Sequence, residues 1–238
     1  MEWSKVMVYD FHTHSLLSDG GLSPIELVRR AQVAGYRAIA ITDHAGFGSL
    51  KRIISEVADD CARAREHWGI TAIPGIELTH LPPQAIAEAA QMAKELGAWL
   101  VVVHGETIIE PVEKGSNLAA VTCPQVDILA HPGLLTLEEA QLAGANGIFI
   151  EISARKGHSL TNGHVLKVAR EAGCQLLLGS DAHEAEELLS ATLASEVVRG
   201  AGLDQSEAAQ VLEASPQLLL KRLSSKLPFA IPVRPPGE

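Results

Sequence analysis

VYDFHTHSLLSDGGLSPIELVRRAQVAGYRAIAITDH, residues 8–44, decides the fold. It opens with a short apolar run whose end carries His12, His14 and, shortly after, Asp19. Ser23 is then placed to cap a helix, with Pro24 at its first position and Gly35 as its stop. Proline suits that position because the N–H it lacks would have no intrahelical partner there. A second apolar run, YRAIAIT, follows, and His44 comes just after it. The stretch reads as strand, helix, strand, with ligand-type side chains where each strand ends. His12 and His14 are two residues apart on an extended chain, so both imidazoles face one side.

The same unit recurs along the chain. Further apolar runs are ITAIPGIEL, AWLVVV, VDILA, GIFIEI and CQLLLG, and KVMVYDF and YRAIAIT complete a set of seven. They are near-continuous rather than alternating, the pattern of parallel strands buried on both faces. The segments PPQAIAEAAQMAKELG and TLEEAQLAG read as helices closed by glycine. Glu77 follows AIPGI, His104 follows WLVVV, His131 follows DILA, and Asp181 and His183 follow LLLG. An open doubly wound sheet gathers functional groups only beside its switch point, whereas a barrel gathers them from many strand ends on one face. The fold expected is therefore α/β, a distorted seven-stranded TIM-like barrel. Beyond Gly179 the pattern is helical, with EAEELLSATLASEVVRG, LDQSEAAQVLEAS and a helix restarted at Ser215-Pro216. One domain is expected over residues 1–226, followed by a proline-rich tail over 227–238.

Composition narrows the function. The chain has 238 residues, is 47% hydrophobic but only 4% aromatic, and carries a formal net charge of −10. The core must be aliphatic. Nucleic-acid binding rests on many Lys and Arg contacts to phosphate, so a general nucleic-acid partner is not expected. A small anion held by a local positive site remains compatible with the charge. Cys61, Cys123 and Cys174 are scattered, which argues against a zinc finger or a disulfide framework. Neither a signal peptide nor a membrane-spanning run of about 18 apolar residues is read, so a cytoplasmic location is expected.

Six histidines at or just past strand ends, His12, His14, His44, His104, His131 and His183, keep company with Asp19, Glu77 and Asp181. Gathered on one face, the three carboxylates would repel one another, and divalent cations remove that cost. Arg155 and Lys156 follow GIFIEI and should lie on the same face, where with His80 and His158 they could bind an anion, phosphate if the resemblance given below holds; a structural or solvated role is the alternative for each. His67 and His164 read as helix residues. Asp10 either orients a ligating imidazole or makes a strand-end hydrogen bond. Glu106 reads as a loop or helix-capping residue, and the glycine-rich HAGFGSL after His44 as a mobile loop at the mouth.

DFHTHSLLSDG, ITDH, PGIEL, VVVHGE, LAHPG and GSDAH, between residues 10 and 183, resemble the successive motifs of the PHP (polymerase and histidinol phosphatase) superfamily of metal-dependent phosphoesterases. The resemblance implies a distorted (β/α)7 barrel with three divalent ions, Zn, Mn or Fe. It implies a first ion on His12, His14, Glu77 and Asp181, a second on Glu77, His104 and His131, and a third on Asp19, His44 and His183. In some relatives a histidine stands at the place of Asp19. The activity implied is hydrolysis of a small phosphomonoester, a histidinol-phosphate-like compound or a nucleotide monophosphate, by a hydroxide shared between ions. His183 or Asp19 would assist the leaving group and Arg155 would hold the phosphate. Three readings stand beside it: a phosphodiesterase or exonuclease on nucleic-acid ends, a metal-binding domain without catalysis, and an amidohydrolase, whose barrel shares the opening H-x-H. The oligomeric state is left open.

Overall fold

The computed structural model describes residues 7–226, so the tail expected over 227–238 lies outside the described residues. The strands are β1 (Tyr9–Asp10), β2 (Ala38–Ile41), β3 (His44–Ala45), β4 (Thr71–Leu78), β5 (Leu100–His104), β6 (Ile128–Ala130), β7 (Phe149–Ser153) and β8 (Leu176–Gly179). All pairings are parallel, in the order β1-β2-β4-β5-β6-β7-β8, with the two-residue β3 also on β4. β3 resumes the course of β2 after Thr42 and Asp43, so the sheet has seven strand positions. Thr13 pairs with Ala182 in an isolated parallel bridge, flanked by Asp181 N–H to His12 C=O (2.9 Å) and His14 N–H to Ala182 C=O (2.9 Å). This contact brings the first and last strands together and nearly closes the barrel.

The barrel interior is a single apolar cluster. Tyr9, Phe11, Ala38, Ala40, Ile73, Leu100, Val102, Ile128, Ala130, Phe149 and Leu177 fill it from alternate strand positions. A larger aliphatic cluster lies between the barrel and its helices. Those helices are α1 (Pro24–Val33), α2 (Leu50–Trp68), α3 (Pro83–Glu95), α4 (Ser116–Val121), α5 (Leu137–Asn146), α6 (Asn162–Ala172), α7 (Ala191–Gly200), α8 (Gln205–Ala209) and α9 (Ser215–Lys226). Leu219, Leu220 and Leu223 of α9 join the interior cluster, so this helix closes the barrel floor, away from the ligand-bearing ends.

Three helical expectations are corrected. α5 passes through Gly144 and ends at Gly147, whose φ of 67° is the left-handed conformation that glycine adopts without strain. EAEELLSATLASEVVRG is not one helix, because only a short 3-10 turn at Ala185–Glu187 precedes α7, which Ser190 caps. No restart occurs at Ser215-Pro216. α8 widens into a π turn over Gln210–Ala214 and runs on into α9. Pro216 has no N–H to offer the preceding turn, and the wider turn accommodates it without breaking the helix.

Candidate metal centre

Alternation along the strands aims the side chains. Leu100, Val102 and His104 share the inner face of β5, as do Ile73 and Glu77 on β4, and Leu177 and Asp181 at and beyond β8. The inner positions are apolar at the floor and ligand-type at the rim. β1 departs from this scheme. Tyr9 and Phe11 face inward, so strict alternation would turn His12 and His14 away. The strand ends at Asp10, whose Oδ1 accepts the N–H of His12 (3.3 Å) and of Ser180 (3.1 Å), and the chain rejoins the ladder at Thr13. Asp10 therefore has the strand-end role.

Glu77 is fully buried at the centre of the cluster. Its Oε1 lies 3.3 Å from His12 Nε2 and 3.5 Å from His131 Nε2, and its Oε2 lies 2.6 Å from His44 Nδ1 and 3.8 Å from His14 Nε2. Asp181 Oδ1 is 3.1 Å from His14 Nε2 and 3.8 Å from His12 Nε2. Asp19 Oδ1 is 3.2 Å from His183 Nε2, and Oδ2 is 3.7 Å from His44 Nε2. Ligand atoms gather within 4.8 Å of one another in overlapping sets: His12, His14 and Asp181; His12, Glu77 and His131; His14, Asp19, His44 and His183; His104, His131 and His158; and His80, His104 and Glu110.

His131 and Asp181 have φ of 25° and 55°, and His80 at the cleft has 51°. Such conformations cost about 1–3 kcal/mol each outside glycine and collect where function demands a fixed side-chain direction.

The electrostatics favour ionised carboxylates, among imidazoles that burial and charge pull in opposite directions. Burial pushes His14 down to about 4, assisted by the charge of His44 and opposed by Asp181. Burial and the charge of His131 likewise bring His158 down to about 4. Burial opposes ionisation of Glu77, but His12, His44 and His104 hold it well below the usual range. Asp181 is held low against burial by His12 and His14. Asp19 is held low against partial burial by His183 and His44. His12, His44 and His104 go the other way: burial lowers each, yet Glu151, Glu77 and Asp181 together raise His12 well above the ordinary value, and Glu77 raises His44 and His104. That combination is what a site built for cations looks like without their charge. His12 Nε2, His14 Nε2 and Glu77 Oε1 are buried and have no hydrogen-bond partner. The residues therefore fit a polynuclear divalent site, and nitrogen with carboxylate oxygen suits Zn, Mn or Fe.

Around the cluster runs a supporting set that the motifs did not reveal. Glu151 on β7 accepts from His12 Nδ1 at 2.6 Å and so fixes the ring with Nε2 toward Glu77. A Cβ on Gly179 would collide with this Glu151 carboxylate and crowd His12 Cβ, which explains a glycine on that inner face. Asp43 accepts from the Ser15 N–H (2.7 Å), Ser15 Oγ (2.7 Å) and Ser18 Oγ (2.6 Å), holding the turn that presents Asp19. Glu110, from the loop after β5, reaches His104 Nε2 at 3.1 Å and His158 Nε2 at 3.4 Å. Glu151 was legible as an inner-face position of β7, and Asp43 as the acid beside His44. Nothing in the sequence marks Glu110.

A cleft of about 420 Å3 opens above the cluster, lined among others by Asp19, His44, His80, His104, Arg155, His158 and His183. Arg155 Nη1 donates to Asp181 C=O (2.9 Å) and lies 2.7 Å from His183 Nδ1. His80 is half-exposed at the rim, 3.5 Å from Glu110. Lys156 is exposed, in the turn that follows β7, and does not line the cleft. His158 lines the cleft as a buried residue, stacked on His131 with ring centroids 4.1 Å apart. Glu106 caps α4, accepting the N–H of Gly115 (2.8 Å) and Asn117 (3.1 Å). Gly46–Ser49 in the HAGFGSL segment form a turn leading into α2. His67 is exposed, and His164 contacts Leu135 C=O at 2.8 Å, both away from the centre.

A parallel barrel with convergent imidazoles and carboxylates at one end defines a metal-binding α/β barrel. The chain belongs to the PHP domain family, whose family model matches residues 10–194. It is 48% identical over 218 residues to the uncharacterized protein MJ1295 of Methanocaldococcus jannaschii, covering 91% of this chain and 100% of that one. It is 27% identical to the probable phosphatase Teth514_1060 of Thermoanaerobacter sp., covering 84% and 88%. In fold it resembles a chain of an archaeal ribonuclease P complex with mature tRNA, with TM-score 0.70, 13% identity and coverage of 96% and 98%. It also resembles histidinol phosphate phosphatase from Lactococcus lactis, solved with zinc, L-histidinol and phosphate, with TM-score 0.60, 18% identity and coverage of 83% and 94%. Among the described residues no helix is long and apolar enough to cross a membrane.

Proposed function

We propose that this protein is a metal-dependent phosphoesterase acting on a small phosphomonoester. The observation that carries the proposal is the convergence at one barrel end of Glu77 with His12, His14, His44 and His131, several of whose buried polar atoms have no hydrogen-bond partner. The probable phosphatase of Thermoanaerobacter, similar along most of both chains, supports the reaction class.

His12, His14, Glu77 and Asp181 would hold a first ion; Glu77, His104 and His131 a second; Asp19, His44 and His183 a third. Divalent ions bound there supply an acidified water as nucleophile and neutralise charge on the transferring phosphoryl group. Asp19, Glu77 and Asp181 against three such ions would leave the centre at about +3, or about +2 with the Glu110 carboxylate counted, which would draw a phosphate dianion into a chain of net charge −10. Glu151 keeps His12 in the tautomer that turns Nε2 inward. Arg155, which lines the cleft, would grip phosphate oxygens with its guanidinium. Asp19 and His183, 3.2 Å apart at the mouth, would assist the leaving group as ligands that hold positive charge near the departing oxygen rather than as proton donors, because Asp19 is held in its ionised form.

A second reading, cleavage of phosphodiesters at nucleic-acid ends, draws on the fold likeness to the ribonuclease P chain. One experiment separates the two: metal analysis of the reconstituted protein, then turnover of paired nitrophenyl monoester and diester substrates. Monoester turnover with about three ions per chain is expected. Fewer than two ions per chain removes the polynuclear reading, and preferential diester turnover moves the assignment to the second. Arg155→Ala is expected to raise KM for the monoester about tenfold or more with metal content unchanged; an unaltered KM takes Arg155 out of the phosphate site.

A further inference from the structure

We infer that the ion placed between Glu77, His104 and His131 takes two further protein ligands, His158 Nε2 and the Glu110 carboxylate. This inference rests on the metal reading above and deepens it. The ligands come from the loops after β7 and β5, which the strand-end pattern does not reach.

Distances carry the argument. His104 Nε2 to Glu110 Oε2 is 3.1 Å, His158 Nε2 to Glu110 Oε1 is 3.4 Å, and His131 Nε2 to Glu77 Oε1 is 3.5 Å. Metal bonds of about 2.1 Å put neighbouring ligand atoms about 3.0–3.4 Å apart in octahedral or tetrahedral shells. His104, His131 and His158 are all buried, with their ligand nitrogens within 4.8 Å of one another. The rings also carry the outer support of metal-bound imidazoles. His158 Nδ1 is held by Thr107 Oγ1 at 2.7 Å and His104 Nδ1 by Gly105 C=O at 3.1 Å, so each turns Nε2 to the centre.

The two loops are built as a pair. Glu106 and Asn117 clamp the base of the first, through Gly115 N–H to Glu106 (2.8 Å) and Glu106 N–H to Asn117 Oδ1 (2.9 Å). Ile109 of this loop fills the space at Gly157, where any Cβ would collide with it. Thr107 and Ile109 thus dock the loop after β5 on the loop after β7, one at His158 and one at the residue before it. Glu110 follows directly and is carried to His104 and His158. His158 is the inner ligand, with 2% of its side chain exposed, and Glu110, with 36%, is the outer one.

Cobalt(II) substitution tests this without reference to turnover, because its visible bands report ligand number and type. Purified wild type, His158→Ala and Glu110→Gln are stripped and titrated with Co(II), with circular dichroism confirming that each variant is folded. Glu110→Gln alters a half-exposed group and keeps the test alive if His158→Ala does not fold. The expectation is full stoichiometry in wild type, with one class of ion bound at least about tenfold more weakly in His158→Ala. A displaced visible spectrum is expected in Glu110→Gln. An unchanged titration and spectrum in either folded variant overturns that residue's assignment. Wild type binding fewer than two ions per chain fails the metal reading itself, a result distinct from loss in a variant alone.

Discussion

At the residue scale, the imidazoles are held by partners as much as by backbone. Glu151 is the clearest case: it is 2% exposed and grips His12 Nδ1 at 2.6 Å. Glu151→Ala is expected to weaken metal binding about 10–100-fold through loss of ring orientation, measured by competition with a chelator of known affinity. Asp10 acts on stability instead. Burial pushes its carboxyl up to about 7, against hydrogen bonds from Ser180 and His12 that favour ionisation. A carboxyl raised on folding contributes stability that is full below its unfolded value, about 3.9, and is lost as pH climbs through about 7. In metal-free protein, Asp10→Asn should keep the two N–H contacts and flatten this segment of the pH profile. Asp10→Ala should lose about 2 kcal/mol by stranding those donors. Urea unfolding between pH 4 and 8 reads both; an equal slope in Asp10→Asn and wild type would exclude Asp10 as its source.

At the element scale, β8 and β7 show how strand composition serves the site. Gly179 leaves the inner face of β8 open so that the Glu151 carboxylate of β7 can lie against His12. Gly179→Ala has its nearest clash with a side-chain end that can swing away. It is therefore expected to reproduce the metal-affinity loss of Glu151→Ala while the protein stays folded, as seen by chelator competition beside thermal melting. Wild-type affinity in Gly179→Ala would show that the glycine serves only packing. The strands were legible in the sequence because apolar runs of their length have one outcome in a parallel sheet. The helix boundaries were less so. Gly144 looks like a stop but lies in α5, because the left-handed residue that ends the helix is Gly147, whose N–H bonds back to Ala143 and Gly144 C=O. Pro216 looks like a start but sits in a continuous helix whose π turn absorbs it.

At the scale of the molecule, the barrel is divided along its axis. Its rim holds the charged cluster, its middle is aliphatic with Phe11 and Phe149, and its floor is closed by α9 through Leu219, Leu220 and Leu223. Leu219 is fully buried in that floor. Leu219→Ala is expected to cost about 2–5 kcal/mol, the range for a large-to-small change in a close-packed core. Metal stoichiometry should be retained, because the site lies at the opposite end. Denaturant titration and metal analysis together check this; loss of metal in a folded Leu219→Ala protein would contradict the separation of floor from rim.

The sequence by itself determined the number of strand positions, their parallel order of appearance, and the identity of the residues placed at their ends. It could do so because strand periodicity and the direction of a β/α unit are local properties. Nine ligand-type residues from His12 to His183 follow from that local grammar. Only the tertiary structure decided which residues support and complete them. Glu151 meets His12 across 139 residues, Thr107 meets His158 across 51, and Glu110 reaches the centre from a loop with no motif of its own. Lys156 and Arg155 are adjacent in sequence, yet only Arg155 lines the cleft. Such contacts depend on where barrel closure brings separate loops together, and no periodicity along the chain encodes that distance.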